Sequence, residues 1–119
     1  MKILIVDDSK EILHILNKSL SSQHEVHLAA WPDTALEMII EVDPNLVITD
    51  YSMPTFTGVE FIGMVKDKYA RAGKTLPIIW GMSSLWSYCD MLKETGATRV
   101  FDKGSDSFIE GIQDALEGL

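Results

Sequence analysis

The chain has 119 residues, 46% of them hydrophobic, which is enough for one domain with a core of its own and excludes a disordered chain. Eighteen acidic residues against ten Lys and Arg give a formal charge of −8. That is the wrong sign for gripping a nucleic-acid backbone or an anionic membrane surface.

Short apolar runs rich in β-branched residues alternate with longer segments of helical period. The first run is Lys2 to Val6. A helix is predicted from about Ser9 to Leu20, with Ser9 as N-cap. Ile12, Leu13, Leu16 and Leu20 share one face, and Glu11, His14 and Lys18 the other. The second run, Glu25 to Ala29, is weaker. Pro32 suits the first turn of a helix to about Glu41. The third run, Asn45 to Thr49, leads to Asp50 and a turn-rich segment ending at Gly58. A helix follows with Phe61, Ile62, Val65 and Tyr69 on one face. Pro77 opens a fourth run through Ile78, Ile79 and Trp80. A short helix from about Ser84 to Thr95 ends at Gly96, a C-cap residue. The fifth run is Thr98 to Asp102, and the last helix begins near Ser105 with Phe108, Ile112 and Leu116 in phase.

Strands that are continuously apolar and alternate with helices imply an α/β fold, a parallel sheet covered by helices on both faces. With right-handed crossovers, the doubly wound order 2-1-3-4-5 is the natural choice for five strands. The 119 residues read as one domain with no output domain attached. The apolar run ahead of Asp7 is too short for a signal-peptide core, and no run reaches the about eighteen apolar residues of a membrane span. Cys89 is the only cysteine, so no intrachain disulfide or thiolate zinc cage forms, and a cytoplasmic location is expected.

In such a sheet the site lies beyond the carboxyl ends of the strands. Asp7 and Asp8 end the first strand, Asp50 the third, Met82-Ser83-Ser84 the fourth, and Lys103 the fifth. Taken singly, each has an ordinary structural explanation, such as a helix cap, a turn residue or a solvated lysine. Placed at one end of one sheet, they make a site. Two carboxylates about 4 Å apart repel by roughly 4 kcal/mol at an effective dielectric of about 20, so the cluster calls for a cation. Hard oxygen ligands suit Mg²⁺ with a phosphate completing its shell. Asp50, at a strand end before a loop, is expected to be open to an incoming group and able to attack phosphorus. Lys103 and a hydroxyl would offset charge on the phosphoryl oxygens.

These residues resemble a response-regulator receiver domain over essentially the whole chain. The motifs are Ile5-Val6-Asp7-Asp8-Ser9, then Val47-Ile48-Thr49-Asp50-Tyr51-Ser52-Met53-Pro54 with Gly58, then Gly96-Ala97 leading to Lys103. The resemblance implies a flavodoxin-like fold, and a phosphoacceptor Asp50 served by a histidine kinase or histidine phosphotransfer protein. It implies Mg²⁺ held by Asp7, Asp8, Asp50 and the Ser52 carbonyl, with Lys103 pairing with the phosphoryl group. A phosphoacceptor switch of this kind assists its own phosphorylation and dephosphorylation but is not a turnover enzyme.

Three positions depart from the family pattern. An ungapped reading of Pro77 to Ser83 puts Met82 at the switch hydroxyl, whereas a bulge at Gly81 would restore Ser83, the residue favoured here. Val100 stands at the aromatic switch position, followed by Phe101. Gly104 replaces the usual proline, so a cis bond there is not expected. These departures motivate an alternative, a pseudo-receiver that binds a partner constitutively. A flavodoxin-type carrier fits less well, because Asp7 and Asp8 would repel the flavin phosphate. A haloacid-dehalogenase-type phosphatase would need an Asp-x-Asp.

Trp80 reads as core. Trp86 and Tyr88 read either as core or, with Phe101, as a face that docks a downstream protein target. His24 and His27 read as solvated, His14 as a polar-face residue, and Cys89 as a small buried apolar group.

Overall fold

A computed structural model describes residues 1–119. Ile3 to Val6 and Leu46 to Asp50 are fully buried strands, as continuous apolar runs at the centre of a parallel sheet must be. The strands are β1 (Lys2–Val6), β2 (Glu25–Ala29), β3 (Leu46–Asp50), β4 (Ile78–Ser83) and β5 (Arg99–Asp102). The helices are α1 (Lys10–Leu20), α2 (Pro32–Val42), α3 (Gly58–Ala72), α4 (Trp86–Thr95) and α5 (Phe108–Glu117). All strands are parallel, in the order β2-β1-β3-β4-β5. The expected doubly wound, flavodoxin-like α/β fold is thus the observed one. No helix is long and apolar enough to cross a membrane.

The pleat sorts the core into two layers. Ile3, Ile5, Leu46, Ile48, Trp80 and Met82 point to one side and pack with α1 and α5. Leu4, Val6, Val47 and Ile79 point to the other and pack with α2, α3 and Leu92 of α4. β2, an edge strand, has only Ala29 fully buried, which explains its weak hydrophobic signal.

The caps agree with local chemistry. Ser9 accepts from the Ile12 amide at 3.3 Å. Thr57 and Glu60 form a capping box, with bonds of 3.2 and 3.0 Å. Thr57→Ala is expected to cost about 1 kcal/mol, read as a lower urea midpoint with an unchanged slope. Gly96 ends α4 at φ 138°, a backbone angle that excludes a side chain without strain.

Three expectations are corrected. β3 and β4 pair one to one from Leu46↔Ile78 to Asp50↔Met82, so no bulge interrupts Gly81. Gly81 is needed for space instead, since a Cβ there would lie 2.8 Å from Leu92 Cδ1. α5 begins at Phe108, not near Ser105. The Ser105 hydroxyl takes the Ser107 amide at 3.3 Å, and such local bonds compete with a helix. Cys89 is half-buried rather than buried, because α4 sets only Leu92 fully into the core. As expected, no peptide bond is cis.

Candidate functional site

The carboxyl ends of β1, β3 and β5 bring Asp7, Asp8, Asp50 and Lys103 together across 96 residues of sequence. Asp7 is fully buried. Its Oδ1 accepts the Ser9 amide at 2.9 Å and its Oδ2 takes Lys103 Nζ at 2.8 Å. Asp50 is the last residue of β3, and its Oδ1 lies 3.2 Å from the same Nζ. Asp8 is exposed. Asp7, Asp8 and Asp50 each offer a carboxylate oxygen within 4.8 Å of the others. Asp50 is only 5% exposed, less open than its place before a loop suggested, because Lys103 reaches across it.

Burial pushes the Asp50 carboxyl up to about 6, with the charge of Asp7 adding to it and Lys103 opposing. Burial likewise raises Asp7, against the pull of Lys103 and the Ser9 amide. For Lys103, burial pulls its value down, but the hydrogen bond to Asp7 and the charge of Asp50 outweigh it, and the net direction is upward. Lys103 therefore stays charged and bridges two carboxylates that would otherwise repel.

One ammonium cannot neutralise three carboxylates. The surplus negative charge and the all-oxygen donor set fit a hard divalent cation such as Mg²⁺. Ser52 is exposed on the loop two residues past Asp50. That loop is tightly wound. Thr55 sits at φ 74°, with the Phe56 amide donating to Pro54 O at 2.9 Å, a γ-turn that a β-branched residue adopts at a cost.

The fourth strand separates the two residues considered for the switch-hydroxyl position, and its uninterrupted register sets Met82, not the expected Ser83, opposite Asp50. Met82 is fully buried in the layer with α1 and α5. Ser83 is on the opposite pleat and 3% exposed. Its hydroxyl accepts the Leu85 amide at 3.0 Å and donates to Leu85 O at 3.2 Å, while its own carbonyl accepts the Lys103 amide at 3.0 Å.

Trp80 is core, tilted against Phe101 at 5.3 Å. Trp86 is 82% exposed. Tyr88 is half-buried and stacks on Tyr51, a pairing that nothing in the sequence announces. Val100 lies half-buried in the layer with α4. Thr49 donates its hydroxyl to Asp50 O at 3.0 Å, a bond that its place in the motif does not announce. His27 bonds Glu25 at 2.7 Å on the edge strand, and His14 is exposed. The two cavities, of about 410 and 320 Å³, lie towards the amino ends of the strands and touch none of the acidic cluster.

Comparison with known proteins gives the same picture. The family model for the response regulator receiver domain matches residues 3–109. A protein-glutamate methylesterase/protein-glutamine glutaminase of Trichodesmium erythraeum is 37% identical over 81 residues, covering 66% of this chain and 22% of that protein. The sensor histidine kinase TmoS of Ectopseudomonas mendocina is 31% identical over 67 residues, 56% of this chain and 7% of the kinase. The chain thus spans less than a quarter of either relative. Among solved structures, the chemotaxis response regulator CheY4 of Vibrio cholerae is 26% identical, with a TM-score of 0.82 over 98% of this chain and 96% of that one. The response regulator domain of Thermotoga maritima CheB shares the fold, with a TM-score of 0.79 at 23% identity over 99% of this chain and 92% of that one.

Proposed function

Because the chain belongs to the response regulator receiver domain family, we propose that its 119 residues form one receiver-like domain that works as a phosphoryl-accepting switch. A histidine kinase or histidine phosphotransfer protein supplies the phosphoryl group as a phosphohistidine. A carboxylate oxygen of Asp50 attacks the phosphorus. The new P–O bond forms as the P–N bond breaks, and its electron pair leaves on the imidazole nitrogen. The product is an acyl phosphate on Asp50, and the signal is a change in docking to another cytoplasmic protein.

The observation that carries this reading is Lys103 Nζ, 2.8 Å from Asp7 and 3.2 Å from Asp50. Asp7 holds the ammonium where it can meet phosphoryl oxygens, leaving Asp50 as the nucleophile. At pH 7 an Asp50 carboxyl near 6 is mostly ionised, as a nucleophile must be. Asp7, Asp8, Asp50 and the Ser52 carbonyl would hold Mg²⁺, which when bound offsets charge on the phosphoryl oxygens. The Ser83 hydroxyl, on the pleat opposite Met82 and bonded to Leu85, would need the β4–α4 connection to rearrange before it could meet those oxygens. The methylesterase and kinase activities named for the relatives are not carried over, since the shared segment is a small part of each.

Intact mass after incubation with acetyl phosphate, with and without Mg²⁺, tests the reading. One Mg²⁺-dependent phosphoryl adduct is expected, and it should be absent from Asp50→Asn. A folded, Mg²⁺-binding chain that takes no adduct would establish the pseudo-receiver instead.

A further inference from the structure

The link between Asp50 and α4 runs through two tyrosines. Tyr51 directly follows Asp50, and its backbone is pinned on both sides. Its amide donates to Met82 O at 3.1 Å, and its carbonyl accepts the Gly58 amide at 2.7 Å. Its ring stacks on Tyr88, in the first turn of α4, with centroids 3.8 Å apart and planes 14° from parallel. The rings are close to parallel, and with the Tyr51 backbone pinned their contact depends on where α4 holds Tyr88.

The helix that carries Tyr88 is lightly held. Leu92 is its only fully buried residue, whereas α3 has five. Its N-cap, Leu85, has no side-chain cap and is tied down by the two bonds to Ser83. Few buried contacts at one end of a helix mean a low cost of local rearrangement. Leu85 and Trp86, 52% and 82% exposed, sit at that end. β5 offers no substitute link. Val100 carries no ring, and Phe101 is turned to the opposite layer against Trp80.

We propose that the Tyr51–Tyr88 stack is the conformational device by which α4 reads the state of Asp50. This rests on the switch chemistry proposed above. When Asp50 takes up the phosphoryl group, the Tyr51 backbone beside it shifts. The stack parts, and the lightly held first turn of α4 moves with Trp86. Tyr88 is a positioning residue in this scheme, acting through Tyr51.

The test follows Trp86 in a Trp31→Phe background, where it is the exposed tryptophan and Trp80 is shielded. Acrylamide quenching is measured before and after acetyl phosphate and Mg²⁺, with intact mass giving the adduct level in the same sample. Phosphorylation is expected to change the quenching of Trp86. In Tyr88→Ala the adduct should form to the parent level while the quenching change is lost, and Tyr88→Phe, which keeps the ring, should restore it. Should Tyr88→Ala not fold by circular dichroism, Tyr88→Leu takes its place. An unaltered response in the ringless variant overturns the proposal, as does loss of the response in Tyr88→Phe or a parent Trp86 that never responds. Failure of the parent to form any adduct overturns the switch chemistry itself, and the stack proposal with it.

Discussion

In metal-free buffer near pH 8, Asp50→Asn is expected to unfold at a higher temperature than the parent chain, with the gap closing as the pH falls towards 4. The Asp50 carboxyl is raised from 3.8 to about 6, first by burial and then by Asp7. A carboxyl whose value is higher folded than unfolded favours the fold while protonated and loses that contribution as the pH climbs through about 6. The charged form therefore strains the native state at neutral pH. Taken in full, the displacement is worth about 3 kcal/mol. Relaxation of the site around the charge reduces this to about 1–2 kcal/mol, or roughly 4–8 °C in Tm. The amide removes the strain and keeps an oxygen for Lys103. Mg²⁺ should lift the parent more than the variant, because the variant lacks one of the charges that the cation offsets. Thermal unfolding from pH 4 to 8, with and without Mg²⁺, checks this. A variant less stable than the parent at pH 8 would show that the ion pair with Lys103 outweighs burial. The substitution expected to abolish phosphoryl uptake is thus also the one expected to stabilise the metal-free fold, the pattern of a site that stores charge for function.

Gly58→Ala carries the second large effect. A Cβ at that position would lie 2.4 Å from Asp50 O and 2.9 Å from Tyr51 Cα. Both are backbone atoms of the site itself, so no flexible side chain can give way. The loop from β3 to α3 must shift, and the Gly58 amide bond to Tyr51 O at 2.7 Å goes with it. A cost of about 3 kcal/mol is expected, the upper part of the range for forcing atoms into packed space. Urea unfolding reads the loss of stability. The phosphorylation rate should fall too, since Asp50 and Tyr51 are displaced together. A variant with a parental urea midpoint would mean that the loop accommodates the methyl group at no cost.

The strands, their order and the meeting of Asp7, Asp8, Asp50 and Lys103 were legible because they rest on long-range regularities. Continuous apolar runs specify a sheet buried on both faces, and the switch point of a doubly wound sheet specifies which ends meet. The fourth strand was misread in one respect. A bulge at Gly81 would be needed to bring Ser83 round; without one, plain alternation sets Met82 opposite Asp50 and leaves Ser83 on the other side. What Gly81 makes room for is Leu92, a contact between residues eleven apart that only packing reveals. The late start of α5 turned on which of two local bonding patterns the serines adopt. The Tyr51–Tyr88 stack was invisible for a related reason. It depends on the angle at which α4 lies, and Leu85, an N-cap without a capping side chain, announces no such angle.

The bridge from Lys103 to Asp7 also bears on how the chain acquires its structure. Its two ends are 96 residues apart, so during synthesis Asp7 and Asp50 are both made long before the cation that separates their charges. Until the fifth strand docks, the half-built sheet carries an unshielded carboxylate pair at its working edge. Docking of the fifth strand therefore closes the sheet and completes the charge cluster in one step. Contacts of this sequence span are slow to form. Refolding followed by site-dependent phosphorylation and by sheet formation should consequently finish together.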